Sequence, residues 1–212
     1  MDQENTGFDL VETMKFDPGR GIPLIERHME RLGRSAAALG FAFDSPGIRL
    51  ALESATTRHS APKRIRLLLS RNGSVAIEDG PLPAPPREPV AVALTSLAAF
   101  GDDVRLRHKT SDRTPFEQAR SKDDCYETVF ADSEGFLTQG SFTSIFLARD
   151  GTLLTPPISR AIVPGVLRAE LLATGHAIEA ELRPVDVADG LLIGNAVRGL
   201  IEARLVEGTS SR

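Results

Sequence analysis

What this 212-residue chain has little of narrows its chemistry first. A single cysteine, Cys125, rules out an intrachain disulfide, and a free Cys of this kind reads as a small buried hydrophobe. No Cys/His group has metal-ligand spacing, so no metal site is expected. No apolar run approaches the ~18 residues of a membrane span. The polar, acidic start Met1-Asp2-Gln3-Glu4-Asn5 has no apolar stretch behind a basic one, and a cytoplasmic protein is expected. Net charge −4 gives no long-range attraction for nucleic acid or an anionic membrane, which leaves a small-molecule substrate as the expected partner. Any phosphate must then be held by local donors. Lysine is scarce too: of 25 cationic residues only Lys15, Lys63, Lys109 and Lys122 are lysines. In a chain that favours Arg, a Lys at a segment junction points to a task that Arg cannot perform. An amine can lose its proton and form a Schiff base, whereas a guanidinium stays protonated. The competing reading is a solvated surface lysine.

What is present is ordinary for a globular protein, with 41% hydrophobic and 25% charged residues. At 22.8 kDa the chain can build one sizeable domain or two small ones. The patterning predicts an α+β protein. Phe8 to Phe16 reads as a first strand and Asp17-Pro18-Gly19-Arg20-Gly21 as a turn, with Ile22 to Ile25 as the return strand of a hairpin. Leu24, His28, Leu32, Ala36 and Leu39 fall at helical spacing up to Gly40. A second helix is expected over Pro46 to Thr57, then strands at Lys63–Ser70 and Ser74–Glu78 about Arg71-Asn72-Gly73, and another at Val90 to Thr95. Further on, Arg113 to Ser121 is helical. Glu127–Ala131, Leu137–Thr138, Ser144–Ala148, Ala177–Leu182 and Leu191–Ala196 read as strands. Pro164-Gly165 opens a helix through Leu172, and Pro184–Gly190 is a short helix. The expected division is residues 1–103 as a small α+β domain and 104–212 as a larger one.

Several segments carry chemistry. Pro164-Gly165-Val166-Leu167-Arg168 opens a helix whose free N–H groups suit a phosphate, although Pro-initiated helices are common. His28 and Arg31 share one helical face. Leu191-Leu192-Ile193-Gly194-Asn195-Ala196 is an apolar strand ending in Gly-Asn, where a backbone can approach a ligand or simply turn.

In order and spacing, the chain from Phe8 to about Leu205 resembles the class IV aminotransferases, the fold-type IV family of pyridoxal-phosphate enzymes. The residues that carry the resemblance are Glu26 to Leu32, His108-Lys109-Thr110, Thr138-Gln139-Gly140-Ser141, Pro156-Pro157, Pro164 to Arg168 and Asn195 to Leu200. Asp17-Pro18-Gly19-Arg20-Gly21, Arg113-Thr114-Pro115-Phe116 and Asn195-Ala196-Val197-Arg198-Gly199 look most like the branch containing 4-amino-4-deoxychorismate lyase. The resemblance implies a small sandwich domain and a larger pseudo-barrel domain that carries the cofactor lysine, with pyridoxal 5'-phosphate between them. It also implies a homodimer whose partner completes the pocket. Lys109 would hold the cofactor as a Schiff base and then move the Cα proton. Arg31 would bind the phosphate, helped by backbone N–H groups of Val166 and Leu167 and by Asn195 and Ala196. Arg198 would bind substrate.

Three departures stand out. Gln139 occupies the place of the Glu that pairs with the protonated ring nitrogen, and an amide adds no charge there. Leu167 replaces a Thr that offers the phosphate a hydroxyl. The chain starts near the family's first strand, without its usual opening segment. The expected activity is release of pyruvate from 4-amino-4-deoxychorismate to give 4-aminobenzoate, for folate synthesis. An aminotransferase acting on branched-chain or D-amino acids needs the same lysine, and a catalytically weak or non-catalytic member is a third reading.

Overall fold

The computed structural model describes residues 7–97, 103–120 and 125–206. The chain forms two compact units, one of residues 1–83 with 108–112, the other of 84–107 with 113–212. This division replaces the expected boundary at 103/104. Strand β4 (Val90–Ser96), expected in the first domain, pairs in parallel with β5 (Glu127–Ala131) and with β11 (Gly199–Leu205) in the second unit. Lys109, expected in the larger domain, belongs to the first unit.

The first unit is a three-stranded antiparallel sheet of β1 (Leu10–Phe16), β2 (Lys63–Leu69) and β3 (Val75–Gly80), with helices α1 (Ile25–Leu39) and α2 (Ser45–Thr56). Alternation puts Leu10, Met14 and Phe16 of β1 and Ile65, Leu67 and Leu69 of β2 into one core with Met29, Leu32 and Ala36 of α1. The expected return strand at Ile22–Ile25 does not form. Asp17 and Gly21 exchange backbone hydrogen bonds and close the turn on themselves. Pro23 has no N–H to offer a ladder, and α1 begins at Ile25.

The second unit is one eight-stranded sheet in the order β6-β5-β4-β11-β10-β7-β8-β9, with β6 at Leu137–Gly140, β7 at Ser144–Arg149, β8 at Thr152–Thr155, β9 at Ala177–Glu179 and β10 at Leu191–Asn195. It also holds helices α3 (Thr114–Ala119) and α4 (Val166–Ala173). The residues from Pro184 to Val187 form a 3-10 turn. The far end of the helix expected to reach Ser121 lies outside the described residues.

The sheet has to curl. β6 ends at Gly140 and β7 begins at Ser144, a reach of at most about 14 Å. In the sheet order they are five strands apart, which laid flat is about 24 Å. Leu137 on the first strand accordingly donates its N–H to Leu182, just beyond the last strand, at 2.8 Å. The result is a curled half-barrel, in keeping with the pseudo-barrel that the resemblance implied, filled by Val92, Val129, Leu137, Ile145, Ile193 and Ile201. Strand β11 was not anticipated, although Ile201 and Ala203 alternate with exposed residues along it.

Candidate active site

In the first unit the lysine is set by main-chain bonds. Val11 N–H donates to Lys109 C=O at 2.8 Å and Ser111 N–H to Asp9 C=O at 2.8 Å, so residues 109–111 run antiparallel beside β1. Ser111 Oγ accepts from Asp9 N–H at 2.9 Å and repeats the tie. Lys109 is half-buried. An amine on a segment clamped at Lys109 itself and at Ser111 is aimed by the sheet and not by a free loop.

Helix α1 has a second buried stripe that the apolar pattern did not show: His28, Arg31 and Ser35, at three- and four-residue spacing. It meets Glu12, which lies on the same face of β1 as Leu10, Met14 and Phe16. Arg31 Nε donates to Glu12 Oε1 at 2.7 Å and a terminal nitrogen donates to Oε2, while His28 Nδ1 lies 2.6 Å from Oε2. Burial alone would raise the Glu12 pKa. The Arg31 charge and the hydrogen bonds from His28 and Arg31 outweigh it and hold the carboxyl at about 2. Arg31, expected as a phosphate cation, therefore has two of its nitrogens on Glu12. Ser35 continues the stripe to His108 Nδ1 at 3.0 Å, next to Lys109.

In the second unit the remaining expected residues converge at one end of the sheet. Gln139 on β6 is buried, so it does not face solvent as a bare strand end. Its amide nitrogen donates to Leu106 C=O at 3.1 Å and Ala161 C=O at 3.3 Å, and its oxygen accepts from Val163 N–H at 3.0 Å. Both carbonyl partners need a donor and Val163 needs an acceptor, which fixes the orientation of the amide.

The loop from Gly140 to Ser144 is organised by Glu127, a fully buried residue on β5 that sequence reading missed. Its carboxylate accepts from the N–H groups of Thr128, Ser141 and Phe142 and from the hydroxyls of Ser141 and Thr143. Arg113 donates to Ser141 C=O and lies over the Phe116 ring, its carbon 5.2 Å from the centroid.

Helix α4 begins after Gly165 with no side-chain cap, so its first N–H groups, those of Val166 and Leu167 among them, have no partner within the helix. A Cβ at Gly165 would overlap Ser144 Oγ, and one at Gly194 would come within 3.0 Å of Leu167. Only glycines let this helix start press against the sheet there. Arg168 secures it through Pro156 C=O and Glu179. In the β10–β11 turn, Asn195 Oδ1 accepts from Val197 and Arg198 N–H at 3.0 Å each, and Asn195 Nδ2 donates to Phe142 C=O at 3.2 Å. Asn195 thus shapes the turn that carries Ala196 and Arg198. Arg198 sits 5.7 Å from both the Tyr126 and the Phe142 ring centroids.

The family model for amino-transferase class IV matches residues 9–206. The chain belongs to the class IV aminotransferase family. The structure of a "Putative amino-acid aminotransferase" from Mesorhizobium loti is 38% identical, with a TM-score of 0.86, and the match covers 94% of this chain and all of that one. A "Probable branched-chain-amino-acid aminotransferase" of Thermotoga maritima is 27% identical over 84% of this chain and 70% of its own length. A "Putative aminodeoxychorismate lyase" of Schizosaccharomyces pombe is 23% identical over 81% of this chain and 76% of its own. Among the described residues no group of His, Cys, Asp and Glu could hold a metal ion, and no helix is long and apolar enough to cross a membrane.

Proposed function

We propose that this class IV aminotransferase relative is a pyridoxal-phosphate lyase that releases pyruvate from 4-amino-4-deoxychorismate and leaves 4-aminobenzoate. The residues present fit the cofactor. Lys109 offers a half-buried amine on a main-chain clamp, and α4 offers an uncapped N-terminus whose first N–H groups have no partner within the helix. When bound, the cofactor supplies an electron sink for a carbanion at the carbon bearing the amine. Lys109 would hold it covalently, and the same amine would serve as acid and base for the proton of that carbon. In the second unit the N–H groups of Val166 and Leu167 would hold the phosphate. In the first, Arg31 is the expected cation, kept in one rotamer by Glu12. Gln139, whose oxygen has one lone pair left after Val163, would be the residue offered to the ring nitrogen.

The observation that carries the lyase reading is Arg198. Its guanidinium makes no hydrogen bond or ion pair with a described residue and rests on two aromatic rings. A substrate with two carboxylates, as 4-amino-4-deoxychorismate has, needs such a second cation, whereas a branched-chain amino acid has one carboxylate. An amino-acid aminotransferase is the second reading, favoured by the name of the Mesorhizobium loti relative. Purified protein mixed with 4-amino-4-deoxychorismate should release aminobenzoate and pyruvate in equal amounts. Conversion of the bound cofactor to pyridoxamine phosphate by amino acids, with no pyruvate released, would establish the aminotransferase instead. Borohydride reduction followed by peptide mapping should find the pyridoxyl group on Lys109; label on Lys63 or Lys122 overturns the lysine assignment.

A further inference from the structure

The second unit holds a polar group that nothing above uses. Tyr126, immediately before β5, has its hydroxyl buried with no hydrogen-bond partner among the described residues. A buried O–H without a partner costs about 1–3 kcal/mol, so such a group normally serves a ligand or a water. Its ring meets Phe142 edge-on, with centroids 5.9 Å apart, and Arg198 lies equally close to both rings. Three separate elements therefore bring two rings, one cation and one unused hydroxyl to the same place. Each is fixed from behind: Tyr126 by its N–H on Ala91 C=O, Phe142 by its N–H on Glu127 and its C=O on Asn195, Arg198 by its own N–H on Asn195.

We propose that Tyr126 and Arg198 together form a subsite for a carboxylate carried on a flat six-membered ring, with Arg198 giving the charge, Tyr126 the hydroxyl donor, and Phe142 a ring to lie against. The guanidinium offers a planar fork of donors, and stacking on two rings restricts it before any ligand arrives. The carboxylates nearest in sequence and space do not take its place. Glu127 is occupied by its five donors, and Glu88 accepts from Glu202 N–H at 2.7 Å. Burial pushes the Tyr126 hydroxyl up; among the charges Arg198 has the largest influence on it, ahead of Glu127 and Glu88. That fits a hydroxyl kept protonated to donate. The subsite rests on the lyase reading, because it gives the ring carboxylate of that substrate a place.

The test uses cofactor-loaded protein with cyclohex-1-ene-1-carboxylate and its neutral amide as probes, followed by calorimetry. Tyr126 is the only tyrosine and the chain has no tryptophan, so tyrosine emission reports from this position alone. The acid should bind at least tenfold tighter than the amide, and tyrosine emission should change along the same isotherm. Arg198→Gln should erase the preference for the acid. Tyr126→Phe should weaken the acid about tenfold and spare the amide. Equal binding of acid and amide, no binding of the acid, or an emission that does not respond overturns the subsite. Should either variant fail to fold, the wild-type pair of probes and the emission still decide. Acid binding as expected with no pyruvate released would leave the subsite standing and remove the lyase; pyruvate release with no acid preference would do the reverse.

Discussion

Each unit buries a glutamate, and the two are stabilised by opposite means. Glu12 in the first unit is neutralised by one cation, Arg31, bidentately, with His28 Nδ1 hydrogen-bonded to the same carboxylate. Glu127 in the second accepts five hydrogen bonds from backbone N–H and hydroxyl groups, none of them from a cation. The first arrangement locks side chains together between a strand and a helix. The second shapes a loop, because three of the donating residues are consecutive, Ser141, Phe142 and Thr143. An ion pair fixes a cation's direction, whereas a ring of dipoles fixes a backbone. The two lie beside different tasks, aiming Arg31 in one case and presenting Phe142 in the other.

Removing the charge from Glu12 should have the largest effect. Glu12→Gln leaves a buried guanidinium without its counter-ion, and breaking such a pair from one side costs about 3–5 kcal/mol. Denaturant unfolding followed by circular dichroism measures it. A loss below about 1 kcal/mol would mean that the stripe is hydrated and not a true buried pair.

The same pair makes stability depend on acid. The Glu12 carboxyl sits at about 2 when folded and near 4.5 when unfolded, so the folded state holds its proton less tightly. Its stabilisation is fully present above pH 4.5 and is lost as pH falls toward 2, a swing of about 3 kcal/mol. In Glu12→Gln that part of the acid sensitivity should disappear. Parallel acid unfolding curves for the two proteins would show that another group is responsible.

Glu127→Gln should cost less, about 2–3 kcal/mol. An amide keeps one oxygen for some donors but turns its NH2 toward others, leaving at least one N–H of the loop unsatisfied. Amide exchange should quicken at Ser141 and Phe142 while β2 and β3 stay protected. Unchanged exchange at those two positions would break the assignment of the loop to this carboxylate.

How much of this was legible in the sequence follows the reach of each interaction. Helices α1, α2 and α4 and strands β2, β5 and β7 came from local periodicity and turn residues, and the structure has them within a few residues. Strand β4 was found but placed in the wrong unit, because its parallel partners lie some 35 and more than 100 residues away and leave no local mark. Lys109 was singled out by its scarcity and its motif, yet the strand that clamps it, β1, lies about 100 residues earlier. Glu12 was invisible because a charged residue on an apolar strand face looks like an interruption; the His28–Arg31 spacing was its only signal. Glu127 was read simply as the start of a strand, and Tyr126 was not singled out at all.

A substitution at Gln139 has the smallest expected effect on folding. In the cofactor-free protein, Gln139→Glu removes the donors that Leu106 and Ala161 carbonyls receive and sets carboxylate oxygens against them. That should cost about 1–2 kcal/mol, seen as a lower melting temperature. With the cofactor loaded, a protonated ring nitrogen would give the new carboxylate a cationic partner, so the deficit should shrink and turnover should rise. A deficit of the same size with and without cofactor would show that position 139 does not touch the ring and serves only to pin Val163 and Ala161. No deficit in either state would mean that the amide's bonds to the two carbonyls contribute nothing.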